Sequence, residues 1–434
     1  MRIPIAFAVM LAISVTHAAT IHVPADIDSI QGGINLAADG DTVLVQPGIY
    51  VENINLVAKR ITIGSLTLVT GDTAYVSRTI IDGDSAGSVI RIESCAHSAT
   101  VIDGFTVTNG RAEYGGGIFL NGSGPKLMNL AVIRNTADYG GGISCLNSSP
   151  ELDNVFIGHN AAGYGGGGMD NFGSSPMLRN CVLERNSAAD YGGGLSNDLS
   201  SPALTGCVIN GNTSETGGGI SNYTYSDLQL YNCTIVNNAA ITGGGMWNGG
   251  SIPMVTNCIF WGNDPDEISD TSSTVIYSIV QGGYPGEGNL DSDPLFCDPA
   301  SGNYSLAGNS PCVGSGEAGK NIGALGVGCG PILRTDDSGL APYRFDLHQN
   351  YPNPFNPVST IEYELPHGSE LSLVIYDLLG REVARLAEGY TEAGYHQAQW
   401  DRRDDRGREV SSGIYLARLM TPEYTRSIRM VLLK

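Results

Sequence analysis

Charged residues are scarce in this 434-residue chain, at 15%, and basic ones scarcer still: 23 Lys and Arg stand against 44 Asp and Glu, for a net charge of -21. Nucleic acid and anionic membrane surfaces are held by clustered Lys and Arg, so this balance excludes both as partners. It also repels a polyanionic glycan unless Ca²⁺ bridges the two. Beyond residue 18 no apolar run approaches the roughly 20 residues needed to span a bilayer, so the mature chain has no transmembrane segment. Hydrophobic content is an ordinary 41%, which excludes a disordered acidic chain. Gly, by contrast, is abundant at 59 residues, about double the usual share of roughly 7%, without the three-residue period of collagen.

The first 18 residues, MRIPIAFAVMLAISVTHA, have the make-up of a secretory signal. Arg2 gives a basic start, Ile5 to Val15 an apolar stretch too short for an anchor, and Thr16-His17-Ala18 a small-residue cleavage site. Export is therefore expected.

A repeat dominates residues 105–263. Its coils read FTVTNGRAEYGGGI, LAVIRNTADYGGGI, VFIGHNAAGYGGGG, CVLERNSAADYGGGL, CVINGNTSETGGGI and CTIVNNAAITGGGM. The anchor position is Gly110, Asn135, Asn160, Asn186, Asn212, Asn238 and Asn263, at spacings of 25, 25, 26, 26, 26 and 25. That period fits one turn of a β-solenoid. Helical repeats are longer and tolerate less Gly, and the frame of a leucine-rich repeat is absent. Each unit holds short strand-like runs separated by Gly, Asn and Ser-Pro.

Three columns specify how coils stack. Leu127, Leu152, Leu178, Leu204, Leu230 and Val255 form the first. Phe105, Leu130, Val155, Cys181, Cys207, Cys233 and Cys258 form the second. Val107, Val132, Ile157, Leu183, Ile209, Ile235 and Phe260, two residues on, form the third. Residues two apart on a strand face the same way, so these columns line a core. Asn129, Asn154, Asn180, Asn232 and Asn257 (with Gly206 before the fifth coil) fit left-handed bends, and Asn171, Asn197, Asn222 and Asn248 form a further row. The GGG tripeptide costs backbone entropy six times over, so it marks a corner where a Cβ would clash or φ is positive. The preceding Tyr114, Tyr139, Tyr164 and Tyr191 are expected to cover the bare Gly backbone of a neighbouring coil. A phosphate-binding glycine loop is excluded, because no strand-to-helix setting and no Lys accompany the glycines.

The repeats resemble those of polymorphic outer-membrane proteins, with Val132-x-x-Asn135 through Phe260-x-x-Asn263 as the second repeat element and aliphatics in place of most Phe. Residues 27–38, IDSIQGGINLAA, suggest a short amphipathic helix capped by Asp26 or Asp28, and DGDTVLVQPGIYVENI follows. This looks like the opening of pectate-lyase-like β-helices. Together these resemblances imply a right-handed parallel β-helix over residues 19–330, plugged by a helix, with less regular coils at 61–69, 79–82 and 89–92. DPLFCDPASGNYSLAGNSPCVGSG, 293–316, resembles the closing segment of secreted β-helix proteins and should form irregular last coils. Of nine Cys, Cys181, Cys207, Cys233 and Cys258 read as buried apolar side chains, and one disulfide is expected among Cys297, Cys312 and Cys329.

Composition shifts after Gly330, where 12 of the 23 basic residues fall in 331–434. Residues 331–343 read as a linker. Strand-like runs at 359–366, 370–380, 395–400 and 413–420 imply a small antiparallel β-sandwich over 344–434. Phe345 to Tyr363, with Tyr351-Pro352-Asn353-Pro354-Phe355-Asn356-Pro357 at its centre, resembles the opening of the type A C-terminal sorting domain of the type IX secretion system. Val374–Arg381 and Ser412-Gly413-Ile414-Tyr415 resemble its later elements, whereas the ending RMVLLK lacks a strongly basic tail. The resemblance implies a flagellar-hook-cap-like fold. It also implies outer-membrane secretion machinery as partner, and a secreted or cell-surface location in a Gram-negative-type bacterium.

For ligand binding, Arg134, His159 and Arg185 occupy equivalent positions in three successive coils, with Asp153 and Arg179 one coil apart and Glu184 nearby. Such a mixed patch could hold an acidic sugar. Glu113, Asp138, Asp190 and Glu215 precede the glycine corners; single carboxylates spaced by a coil make a weak Ca²⁺ site, and no other cofactor is indicated. The clean repeat carries no local interruption of the kind a catalytic centre needs. The sequence therefore favours a non-catalytic exported protein serving adhesion, glycan binding or envelope structure. Its rival is a lyase or glycoside hydrolase acting on an acidic polysaccharide, with paired carboxylates or Ca²⁺ and a base.

Overall fold

The structure is a computed structural model and describes residues 18–94, 100–270, 272–332 and 345–433. The expected signal at 1–18 and linker at 331–343 lie almost wholly outside these residues. By its internal contacts the chain divides into two units, with the division between Ile276 and Glu287.

The first unit is all-β, a right-handed parallel β-helix. Its coils give strands of three or four residues to three parallel sheets. The Leu face has eleven strands, from Thr20–Val23 to Thr274–Ile276. The Ile face runs from Gly48–Val51 to Ile259–Trp261. The Asn face has eight strands, from Ile54–Val57 to Met246–Gly249. A four-stranded ribbon of Arg111–Tyr114, Thr136–Tyr139, Ala161–Gly165 and Ser187–Ala188 is added between the Ile and Asn faces.

Register follows the expected columns. Leu127 pairs with Leu152, that with Leu178, and so on to Val255. Val107 through Phe260 do the same on the Ile face. All are buried, as are the unbridged Cys181, Cys207, Cys233 and Cys258. Asn129, Asn154, Asn180, Asn232 and Asn257 adopt positive φ, and Gly206 does so before the fifth coil.

The anchor asparagines form a buried ladder. In Asn186, Nδ2 donates to Asn212 Oδ1 at 3.0 Å and to the Ile157 carbonyl at 2.9 Å, while the Asn186 Oδ1 accepts from the backbone N–H and Nδ2 of Asn160. The same pattern runs from Asn135 to Asn263. The Asn263 backbone N–H and Nδ2 then donate to the Glu267 carboxylate, which closes the ladder. Burial pushes that carboxyl up to about 7 against the opposing bonds from Asn263. A second ladder on the Asn face links Asn171, Asn197, Asn222 and Asn248 at 2.7–2.9 Å.

The glycine corners have the two expected causes. Gly192 has φ +58°, and a Cβ on Gly193 would lie 2.4 Å from the Thr213 carbonyl oxygen. The entry helix is shorter than expected, Ile30–Leu36, and its cap is Ser29, whose side chain accepts from Gly32 N–H. The Glu52 carboxylate takes the N–H groups of Ile30 and Gln31, so the acidic partner of the first turn comes from a later coil.

In the second unit, Phe296–Asp298, Asn303–Ala307 and Val327–Cys329 make a small sheet, and Cys297 is bonded to Cys329 while Cys312 is free and buried. The C-terminal part pairs a sheet of Asp346–Leu347, Ser359–Leu365 and Gly394–Trp400 with one of Glu382–Thr391, Ser369–Asp377, Gly413–Met420 and Thr425–Leu432. Phe355, Ile361, Leu373, Trp400 and Met430 fill the core. The strands at 382–391 and 425–432 were not expected. The first is an edge strand with a single buried residue, Ala384, so its apolar alternation is weak.

Candidate functional site

The Asn face has an outer side as well as a core side. Along each strand the core takes the first and third residues; the second and fourth point outward. One outward column is Arg91, Phe119, Ser144, Asp170, Ser196, Ser221 and Trp247. The other is Glu93, Asn121, Leu146, Phe172, Asp198, Tyr223 and Gly249.

The tyrosines before the glycine corners flank these columns. One ring per coil brings the rings within stacking reach, so they pack on one another: Tyr114 on Tyr139 at 5.5 Å and 13°, Tyr139 on Tyr164 at 5.2 Å and 23°. Tyr191 instead meets Tyr223 edge-on at 4.8 Å, and Tyr223 leans on Trp247 at 4.7 Å.

Between the tyrosines and the outer columns lies a cleft of about 480 Å³, lined by Tyr114, Tyr139, Tyr191, Tyr223, Phe172, Ser144, Ser196, Asp170 and Asp198 among others, with no Lys, Arg or His. Asp170 sits in its floor. Burial pushes the Asp170 carboxyl up to about 7; a hydrogen bond from Ser196 opposes this and the charge of Asp198, one coil on, adds to it. Burial raises Tyr139 too, with the charges of Asp170, Asp138 and Asp190 contributing. The field in the cleft is thus negative, and its surface alternates ring edges with hydroxyl and carboxyl groups.

The expected binding residues lie elsewhere. Arg134, His159 and Arg185 do stand in one row, at the corners that end Ile-face strands, each with positive φ. Asp153 and Arg179 pair in register at the ends of Leu-face strands, at the other end of the following Ile-face strand. Asp153 accepts from Asn180 Nδ2 at 3.2 Å. Arg185 makes an exposed ion pair with Glu184 at 3.5 Å. These six residues therefore form two separate corner rows. Glu113, Asp138, Asp190 and Glu215 lie along the ribbon, where Gly163 interrupts the row opposite Asp138. Among the described residues no group of three or more His, Cys, Asp and Glu is placed to hold a metal.

Asp170 and Asp198 are not among the residues the sequence pattern singles out, because the repeat marks its core columns first. A signal was present: the residue after each glycine-plus-apolar step is Phe119, Ser144, Asp170, Ser196, Ser221, Trp247, a column of aromatic ends and small polar middle with a single carboxylate.

Residues 88–260 match the family model described as a right handed beta helix region, and residues 357–421 that of a FlgD Ig-like domain. No curated protein matches the chain. Among solved structures, the chain is 21% identical to dimeric latent PorU from Porphyromonas gingivalis over 22% of this chain and 10% of that one, with a TM-score of 0.18. It is 23% identical to PorZ of the same organism, described as an essential surface component of the type-IX secretion system, over 23% of this chain and 13% of that one, with a TM-score of 0.16. The pectin methylesterase PemA from Erwinia chrysanthemi is 10% identical over 63% of this chain and 81% of that one, at a TM-score of 0.26. The chain thus spans only 10% and 13% of the length of the first two.

Proposed function

We propose that the protein is an exported, cell-surface or secreted glycan-binding protein. In this reading the β-helix holds a linear glycan in the tyrosine cleft. The C-terminal domain addresses the chain to outer-membrane secretion machinery of the type IX kind, in a Gram-negative-type bacterium. The observation that carries the binding half is the cleft itself: rings, hydroxyls and carboxyls on a rigid face, repeated at the coil spacing of about 4.8 Å. Sugars offer apolar C–H faces and hydroxyls together, and aromatic rings beside polar groups suit both. The address half is supported by the resemblance of Tyr351–Pro357 and by the Ig-like match at 357–421.

Binding of the full chain to a glycan array tests the first half. Retention on one glycan class, lost in Tyr139→Ala, is expected. No retention, or retention indifferent to Tyr139, overturns it. Deleting residues 345–434 should leave the β-helix inside the cell envelope of the producing bacterium; unchanged surface display overturns the second half.

A second reading has its own observation. A carboxyl raised by burial to about 7, one coil from a second carboxyl, is the pairing glycoside hydrolysis uses, with Asp170 as proton donor and Asp198 as its partner. New reducing ends from a bound glycan, abolished in Asp170→Asn, would establish it.

A further inference from the structure

One coil departs from its neighbours, and it does so over Asp170. In the ribbon, Tyr114 pairs with Tyr139, but the next partner of Tyr139 is Gly165, and the partner of Gly165 is Tyr191. The register shifts between Ala137 and Tyr139. The cause is visible in the sequence: this coil reads Gly163-Tyr164 followed by four glycines, where the others have three. Tyr164 is carried one position early. Its ring stays on Tyr139, and both Asp190 and Tyr191 donate their N–H groups to its carbonyl. A bulge of this kind re-aims a side chain. Here it leaves a row position that tyrosine fills on either side without a side chain.

That position lies over the cleft floor. A Cβ on Gly165 would be 3.3 Å from Ser196 Oγ and 3.5 Å from Asp170 Oδ1. Glycine therefore keeps a window open onto the Asp170 carboxyl, between Tyr139 and Tyr191. Its φ is not in the left-handed range, so backbone conformation does not require glycine there.

The window's surroundings select what enters. Among the described residues neither Asp170 nor Asp198 has an ion pair, and no cation lines the cleft. The other titratable groups around it are Tyr114, Tyr139, Tyr191 and Tyr223, with Glu113, Asp138 and Asp190 behind them and the buried Cys145 thiol, which burial keeps protonated, beneath. Acceptors are in excess and positive charge is missing. A carboxylate beside ring faces attracts a small organic cation through both. A uronate would place like charges together.

We propose that the Gly165 window receives a protonated primary amine, so that the glycan held in the cleft carries free amino sugars. This rests on the cleft being a glycan site, and names its substrate class. Asp170 and Asp198 meet the ammonium group, and the tyrosines hold the sugar rings to either side.

The test is calorimetric titration of the full chain with a β-1,4-linked glucosamine tetramer and, separately, with its fully N-acetylated counterpart. The glucosamine tetramer should bind at least about tenfold more tightly. Asp170→Asn should erase that preference. Gly165→Tyr, which fills the window, should abolish glucosamine binding while circular dichroism and melting temperature stay unchanged; if it fails to fold, Gly165→Ala and Asp170→Asn carry the test. Equal affinities, or a preference for the acetylated tetramer, overturn the amine assignment and leave the cleft as a glycan site. Binding of neither tetramer in a sample that still retains some other glycan overturns the amine assignment alone. A sample that binds no glycan at all overturns both.

Discussion

Asp170 shows how one residue carries both a cost and a use. Its carboxyl, raised from 3.8 to about 7, is more easily kept protonated in the folded chain than in the unfolded one. Its contribution to stability is therefore complete below about pH 3.8 and is lost as pH rises through about 7. Asp170→Asn should melt like the parent at pH 4 and above it at pH 8; identical melting at both would show the carboxyl to be solvated. Gly193 is the opposite case, a residue with no chemistry and no latitude. A Cβ there meets two backbone carbonyl oxygens at 2.4 and 2.5 Å, which cannot yield as a side chain could. Gly193→Ala should cost at least about 3 kcal/mol, whereas Gly326→Ala, with open space around it, should leave the melting temperature within a degree or two of the parent. The need for glycine was legible from the repeated tripeptide. The carboxyl was not, because a single outward Asp among serines is visible only once the two sides of the strand are told apart.

At the scale of elements, the asparagine ladder and the core columns were legible because each coil repeats them at a fixed offset. Elements outside the repeat were harder to read. The entry helix begins at Ile30, behind its Ser29 cap, because Glu52, from another coil, receives its first N–H groups, a long-range contact that local sequence does not show. The shift at Gly165 escaped notice for a related reason: four glycines in place of three look like a spacer until the partner coil reveals which residue has moved. The ladder predicts its own fragility. Asn212 accepts from the N–H and Nδ2 of Asn186 and donates to the Leu183 carbonyl and Asn238. Asn212→Ala strands two buried donors at about 1–3 kcal/mol each and should destabilise the unit by about 3 kcal/mol or more in chemical denaturation. An effect below about 1 kcal/mol would mean that water replaces the lost amide.

Taken as a whole chain, the two units rely on different devices. The first repeats one hydrogen-bonding scheme; the second, with irregular strands after Glu287, relies in part on a covalent link. The Cys297–Cys329 bond closes a loop with a sequence separation of 32. By loop closure, reduction should lower stability by about 4 kcal/mol, seen as a lower melting transition in reducing buffer that Cys297→Ser reproduces without reductant. Sequence alone narrowed the bond to three cysteines and no further, since pairing depends on which strands meet. The first unit has a further property. Every internal asparagine of the anchor ladder receives from the coil before and gives to the coil after, whereas Glu267 only receives. A copy of residues 187–212 spliced into the middle would find the same partners above and below, while a copy of the last coil would place a carboxylate where an amide must donate. Such a molecule can change its copy number only from the inside, so its lineage should record gains and losses of central coils while the terminal one is inherited unaltered.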